Sequence, residues 1–152
     1  MTAVTGLFNK LISLFECIPH WLLALASRII LAVPFWKSGQ TKIVTGPDAG
    51  FLEVAPGTIA LFEHHYALPI IPPTIAAYLA TYAENILPVL LVIGLATRFS
   101  ALALLGMTIV IQTFVFSDPW LLHSYWAIIA LWIVARGPGM ISIDHFIKKA
   151  TS

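Results

Sequence analysis

Few residues in this chain can do chemistry, and several of them stand where only apolar residues are expected. Arg28 lies within the run IPHWLLALASRIILAVPFWKS, and Glu84 within TIAAYLATYAENILPVLLVIGL. An ionisable group inside hydrocarbon is expensive, so each of the two asks for a partner or a purpose. Both lie about ten residues into runs that are traversed in opposite directions, which predicts equal depth. An arginine fork and a carboxylate at equal depth on sequential helices can pair bidentately. Such a pair is either a proton- or substrate-handling dyad or a structural ion pair that fixes helix register. Pro88, one turn beyond Glu84, frees the Glu84 carbonyl, which fits either reading.

A second group gathers toward the opposite ends of the apolar runs: Trp36, Lys42, Gln112, His123 and Tyr125. Aromatic walls with a few hydrogen-bonding groups at a membrane edge suit a quinone headgroup. Its carbonyls need donors, and its isoprenoid tail needs lipid access. In this reading Trp36 and Tyr125 stack on the ring, Gln112 and His123 donate to a carbonyl, and Lys42 assists from a loop. The competing readings are an interfacial aromatic belt and, for Gln112 and His123, an interhelical hydrogen bond. Glu63, His64 and His65 are weak candidates for metal ligands together with His123. Adjacent histidines point different ways on a helix, and no HxxxH or HxxE spacing is present, so no metal site is predicted. Haem is not predicted either, because His20 and His123 belong near opposite membrane faces and there is no CxxCH. Without a nucleophile elbow, phosphate loop or dinucleotide fingerprint, the chain does not read as a self-contained enzyme.

The elements that must position these groups emerge from composition. Of 152 residues, 59% are apolar and 10% charged, which cannot supply the charged skin of a soluble globule. A net charge of +1 offers no footprint for nucleic acid. Cys17 stands alone, which excludes an intrachain disulfide. Four stretches reach the length a bilayer demands, at about 18–38, 74–95, 99–116 and 119–135. Short connections after Leu95 and Phe116 make the last three antiparallel neighbours. The expected fold is an all-α integral membrane protein, a four-helix transmembrane bundle forming one domain over 1–152.

Residues 1–17 carry Leu7, Phe8, Leu11, Ile12, Leu14 and Phe15 at helical spacing, which predicts a helix lying in the membrane surface. Lys10, Arg98, Arg136, Lys148 and Lys149 share one side, against Lys37 and Lys42 on the other. The positive-inside rule therefore puts both termini in the cytoplasm and the loop 39–73 outside. Within that loop, Thr58–Tyr66 is expected to form a short helix that folds over the site. Two stripes, Trp126/Ile129/Ile133/Arg136 and Leu102/Gly106/Ile109/Thr113, are candidates for a homodimer or hetero-complex surface.

The blocks RIILAVPFWKSGQTKI, AAYLATYAENILPVLLVIGLATRFSALALL and ARGPGMISIDHFI, in this order, resemble the DoxX family of small bacterial and archaeal membrane proteins. The resemblance implies the bacterial inner membrane and four helices. Its recurring polar residues fall on Arg28, Ser38, Gly39, Lys42, Glu84, Arg98, Gly137, Pro138, Gly139, Ser142 and Asp144. Gly137-Pro138-Gly139 should stop the fourth helix, Ser142 or Asp144 should cap the short segment after it, and Arg98 should meet Asp144 across the bundle. Some family members resemble the membrane subunit of a thiosulfate:quinone oxidoreductase. The functional expectation is a membrane subunit of a redox system, quinone-interacting and dependent on a partner protein for catalysis. The alternative is a non-catalytic membrane scaffold or a small transporter of a metal or sulfur species.

Overall fold

The computed structural model describes residues 7–9, 12–13, 15–66 and 68–151. The predicted surface helix over 1–17 therefore lies partly outside the described residues. Those described before Cys17 are helical and exposed. Beyond them come four long helices: α1 (His20–Gln40), α3 (Pro73–Ile93), α4 (Thr97–Val110) and α5 (Trp120–Arg136). A short α2 (Pro56–Leu61) lies in the loop after α1, and α6 (Ile143–Thr151) closes the chain. Two π-helical turns, Phe62–Tyr66 and Ile111–Val115, extend α2 and α4.

Proline and glycine set the boundaries. Pro73 opens α3 at a position where its missing N–H has no helical partner to lose. Gly94 ends α3 in the left-handed region at φ 75°, where a residue without Cβ meets no steric penalty. Along α3 the buried positions Ala77, Thr81, Glu84, Pro88 and Leu91 recur every three or four residues, which defines one inward stripe. In the long helices α1 packs along α3, α4 along α5, and contacts of α3 with α4 and of α1 with α5 close the ring. The core is Leu31, Ala32, Phe35, Leu91, Ala101, Leu104, Ala130 and Ile133.

Outside this core the surface is inverted. Ile30, Leu79, Leu102, Ile128 and Leu131 are all more than half exposed, which water would penalise and lipid would not. Three helices, α1, α3 and α4 with its π-turn, are long and apolar enough to cross a membrane. α5 is apolar but has 17 residues, about 25 Å of helix. The molecule is an all-helical, multi-pass membrane protein. Of the two stripes considered for association, that on α5 packs inward: Ile133 is fully buried, and Trp126 and Ile129 lie against the core. That on α4 stays outward, with Leu102 and Ile109 exposed and room at Gly106, where an added Cβ would meet no neighbouring element within 4 Å.

The register of α1 on α3 is set by Gly39. A Cβ there would lie 2.9 Å from the backbone carbonyl of Glu84 and 2.8 Å from Nδ2 of Asn85. Level helix ends would place residue 39 opposite residue 74. Gly39 faces Glu84 instead, so α1 is slid by about ten residues, roughly 15 Å, along α3. Gln40 donates to Oδ1 of Asn85 at 2.7 Å and locks the contact.

Candidate functional site

The slide separates the two charges that depth arithmetic pairs. Arg28, 1% exposed, does not meet Glu84. Its Nε donates to the Leu91 carbonyl at 2.8 Å, and its Nη1 to those of Pro138 (2.9 Å) and Ile141 (2.6 Å). Nη2 donates to the Val92 carbonyl. These acceptors lie at the C-terminal turn of α3, where the Leu91 carbonyl also accepts from the Gly94 N–H at 3.2 Å, and in the turn after α5; a guanidinium there suits both hydrogen bonding and the helix dipole. Arg28 is thus a clamp between three segments of chain.

The Gly137-Pro138-Gly139 turn fits the same assembly, with φ of 82° at Gly137 and 80° at Gly139. Ser142 is the cap of α6: its Oγ accepts from the His145 N–H at 3.2 Å and donates to the Gly139 carbonyl at 2.8 Å. Asp144 does not hold Arg98, contrary to the expectation from sequence. Its two oxygens accept from the backbone N–H groups of Ala96 and Thr97, both at 2.8 Å, at the start of α4. Arg98 instead donates to the Val134 carbonyl at 2.8 Å, near the end of α5. Each charge therefore sits at the helix end that its sign favours.

Burial works against the charge on Asp144, but the N–H of Thr97, that of Ala96 and the more distant Arg28 outweigh it and hold the carboxyl below its usual pKa. A carboxyl depressed on folding contributes stability that is complete above the ordinary aspartate value near pH 4 and fades as pH falls through the folded value. Asp144→Asn should therefore melt below the parent at pH 7, with the gap closing as both are acidified below about pH 4. A gap that stays constant from pH 7 to pH 3 would remove the charge from the explanation.

Glu84 pairs with Lys42, and here the polar residues face a cavity. Nζ of Lys42 lies 2.6 Å from Oε2 of Glu84, and both side chains are over nine-tenths buried. The same ammonium donates to Oγ of Ser38 at 2.8 Å. Lys42 is brought back over the end of α1 by a tight loop. Its carbonyl accepts from Ala55 N–H (2.9 Å) and Thr58 Oγ1 (3.1 Å), while Ile43 and Val54 form a single bridge. The cavity holds about 330 Å³, and apart from Ser38, Lys42, Tyr66 and Glu84 its walls are apolar. Both π-turns line it, through Phe62 and Tyr66 from one and Ile111 and Val115 from the other. Tyr66 and Phe116 meet edge to face across it, with ring centroids 5.8 Å apart. Exposed Leu79 and Phe116 mark its open side. Burial, and then the Glu84 carboxylate, push the Tyr66 phenol above its usual pKa, so it remains a protonated donor.

Gln112 and His123 are also brought together, but elsewhere. Gln112 donates to the Ser117 carbonyl at 2.7 Å, which turns its Oε1 toward Nδ1 of His123, also at 2.7 Å. His123 is therefore the donor, from Nδ1. The pair braces the π-turn of α4 against α5 and lines a separate cavity of about 250 Å³. Lys42 is absent from that cavity, and Trp36 and Tyr125 line neither one; they are 41% and 53% exposed. The five residues expected to surround one headgroup are thus divided. Glu63, His64 and His65 are all exposed on their π-turn, and no three metal-ligating side chains converge among the described residues.

Sequence reasoning named Lys42 and Glu84 separately and missed their contact. The available signal was Ser38 and Lys42 at i, i+4 spacing, which folds the lysine back onto the end of its own helix. A family model described as DoxX matches residues 23–118, a segment that holds Arg28, Lys42 and Glu84. No curated protein and no solved structure matches the chain.

Proposed function

The chain belongs to the DoxX family, and from that premise we propose that it is the membrane subunit of a redox system. It holds a quinone beside Lys42 and Glu84 and depends on a partner protein for electrons. The observation that carries this reading is a buried ion pair in the wall of an otherwise apolar cavity whose open side bears exposed Leu79 and Phe116.

The residues fit such a ligand. A volume of about 330 Å³ lies within the range of small-molecule sites. Apolar walls suit a ring, and an open apolar rim suits an isoprenoid tail. π-Helical turns recur at functional sites, and two of them converge on this cavity. A bound quinone supplies a two-electron acceptor that takes up two protons when reduced. The protein's own part is orientation and protonation. Lys42 has three N–H donors: Glu84 and the Ser38 hydroxyl take two at 2.6 and 2.8 Å, and the third makes only a long 3.4 Å contact with the Ser38 carbonyl, which a quinone carbonyl oxygen would displace. Glu84 holds the ammonium in place. Tyr66, held protonated, adds a second donor. The Gln112–His123 pair is left out of this site, because each already has a partner. Four spans with both termini cytoplasmic complete the proposal, on the weight of basic residues at the Arg98 and Arg136 end.

Thermal melting of the purified protein with short-chain ubiquinone and menaquinone analogues tests it. At a hundredfold excess over Kd, binding adds about 2.7 kcal/mol and raises Tm by several degrees. The double variant Lys42→Met/Glu84→Gln, which leaves no charge unpaired, should keep its fold and lose that rise. No shift with either analogue, and no quinone among the lipids that copurify, would overturn the quinone assignment and leave a membrane scaffold or a small transporter.

A further inference from the structure

The opposite end of the bundle holds a third cavity, of about 560 Å³, between the α3–α4 turn, the turn after α5 and α6. Its charged lining is mostly basic: Arg98, Arg136 and Lys148, with Asp144 the one acid and His20 and His145 beside them. Asp144 offers little to a cation, since both its oxygens already accept backbone N–H groups. Arg98 uses one N–H on Val134. Arg136, exposed, makes no hydrogen bond or ion pair among the described residues. Asp144, His145 and Lys148 of α6 line this cavity, and the other side of the same helix is an apolar shelf. α6 exposes Ile143, Phe146 and Ile147 at i, i+3 and i+4, and Phe99 at the cavity edge is 78% exposed.

We infer that this end binds the phosphate of an anionic membrane lipid, with α6 lying in the membrane interface. A free anion would use the cations and leave the shelf bare. An apolar chain would use the shelf and leave the cations unmatched. A lipid with a negative headgroup uses both, which is the complementarity that basic pockets between membrane helices and amphipathic interfacial helices show. This inference is independent of the quinone reading, since it involves the other end of the molecule.

Native mass spectrometry of the full chain, offered equal phosphatidylglycerol and phosphatidylcholine in detergent, tests it. The parent should retain phosphatidylglycerol at least tenfold over phosphatidylcholine. Arg136→Gln, at a side chain without a protein partner, should lower that preference about fivefold with Tm unchanged. Arg98→Gln/Arg136→Gln should abolish it. Phe146→Ser/Ile147→Ser should weaken retention of phosphatidylglycerol as well. Equal retention of the two lipids by the parent would overturn the assignment. So would displacement of phosphatidylglycerol by millimolar inorganic phosphate together with full retention by Phe146→Ser/Ile147→Ser, which would make the site one for a free anion.

Discussion

Arg28→Ala should be the most damaging single substitution in the chain. The side chain is buried and donates to four backbone carbonyls, those of Val92, Pro138 and Ile141 and that of Leu91, which also accepts from the Gly94 N–H. A buried acceptor left without a donor costs about 1–3 kcal/mol. Even with partial relaxation the loss should exceed about 4 kcal/mol, read in detergent as a fall in Tm of about 10 °C or more. Arg28→Lys should recover less than half of it. A lysine carries the charge but lacks the planar fork that reaches carbonyls on both sides at once. The combination with Glu84→Gln should be additive to within about 0.5 kcal/mol, because the two residues share no partner. A strong coupling between Arg28 and Glu84 would restore the pairing that the observed register forbids.

Lys42 and Glu84 should behave in the opposite way. Removing one member leaves the other charged and buried, at a cost of about 3–5 kcal/mol. Replacing both by apolar residues of similar size should be close to neutral, because the desolvation cost of the pair disappears with it. Glu84→Leu and Lys42→Met should each lower Tm markedly, and the double variant should recover most of the loss. The coupling energy in the resulting cycle should therefore approach the sum of the two single losses, about 6 kcal/mol or more. Additive losses would mean that the 2.6 Å contact carries no energy. The double variant is then the tool for function, stable but without the ammonium or the carboxylate.

These contrasts arise from a register that hydropathy does not encode. The apolar runs place α1, α3, α5 and α4 together with its π-turn within a few residues of their observed limits, because a bilayer demands a fixed length of apolar helix. They also expose Arg28 and Glu84 as residues needing an explanation. Hydropathy says nothing about axial slide, since any rotation or shift that buries one stripe satisfies it. The slide is fixed by Gly39 against the Glu84 backbone, a contact made by the absence of a side chain. With level ends assumed, the arginine and the carboxylate fall opposite each other; with the observed slide, Arg28 reaches the end of α3 instead.

Asp144 shows a similar gap. Its charge is legible in the sequence, but competition from two backbone N–H groups at the start of α4 decides its partner, and that depends on where the turn lies. The Gln112–His123 contact is accessible because a short connection joins their helices. Its separation from Lys42 is not, since that depends on which side of the ring each helix occupies. The two π-turns leave no sequence signature, yet they shape the cavity.

Photolabelling with an azidoquinone tests the central claim most directly. The purified protein is irradiated with the analogue, digested, and the labelled peptides are sequenced by mass spectrometry. Label is expected on the Phe62–Tyr66 turn, on α3 around Leu79 and Ala83, and on the Ile111–Val115 turn or Phe116. Unmodified quinone should compete it away, and Lys42→Met/Glu84→Gln should abolish it. Label confined to Trp120–Ala127, beside the Gln112–His123 pair, or label that excess quinone leaves unchanged, would contradict a quinone site at Lys42 and Glu84.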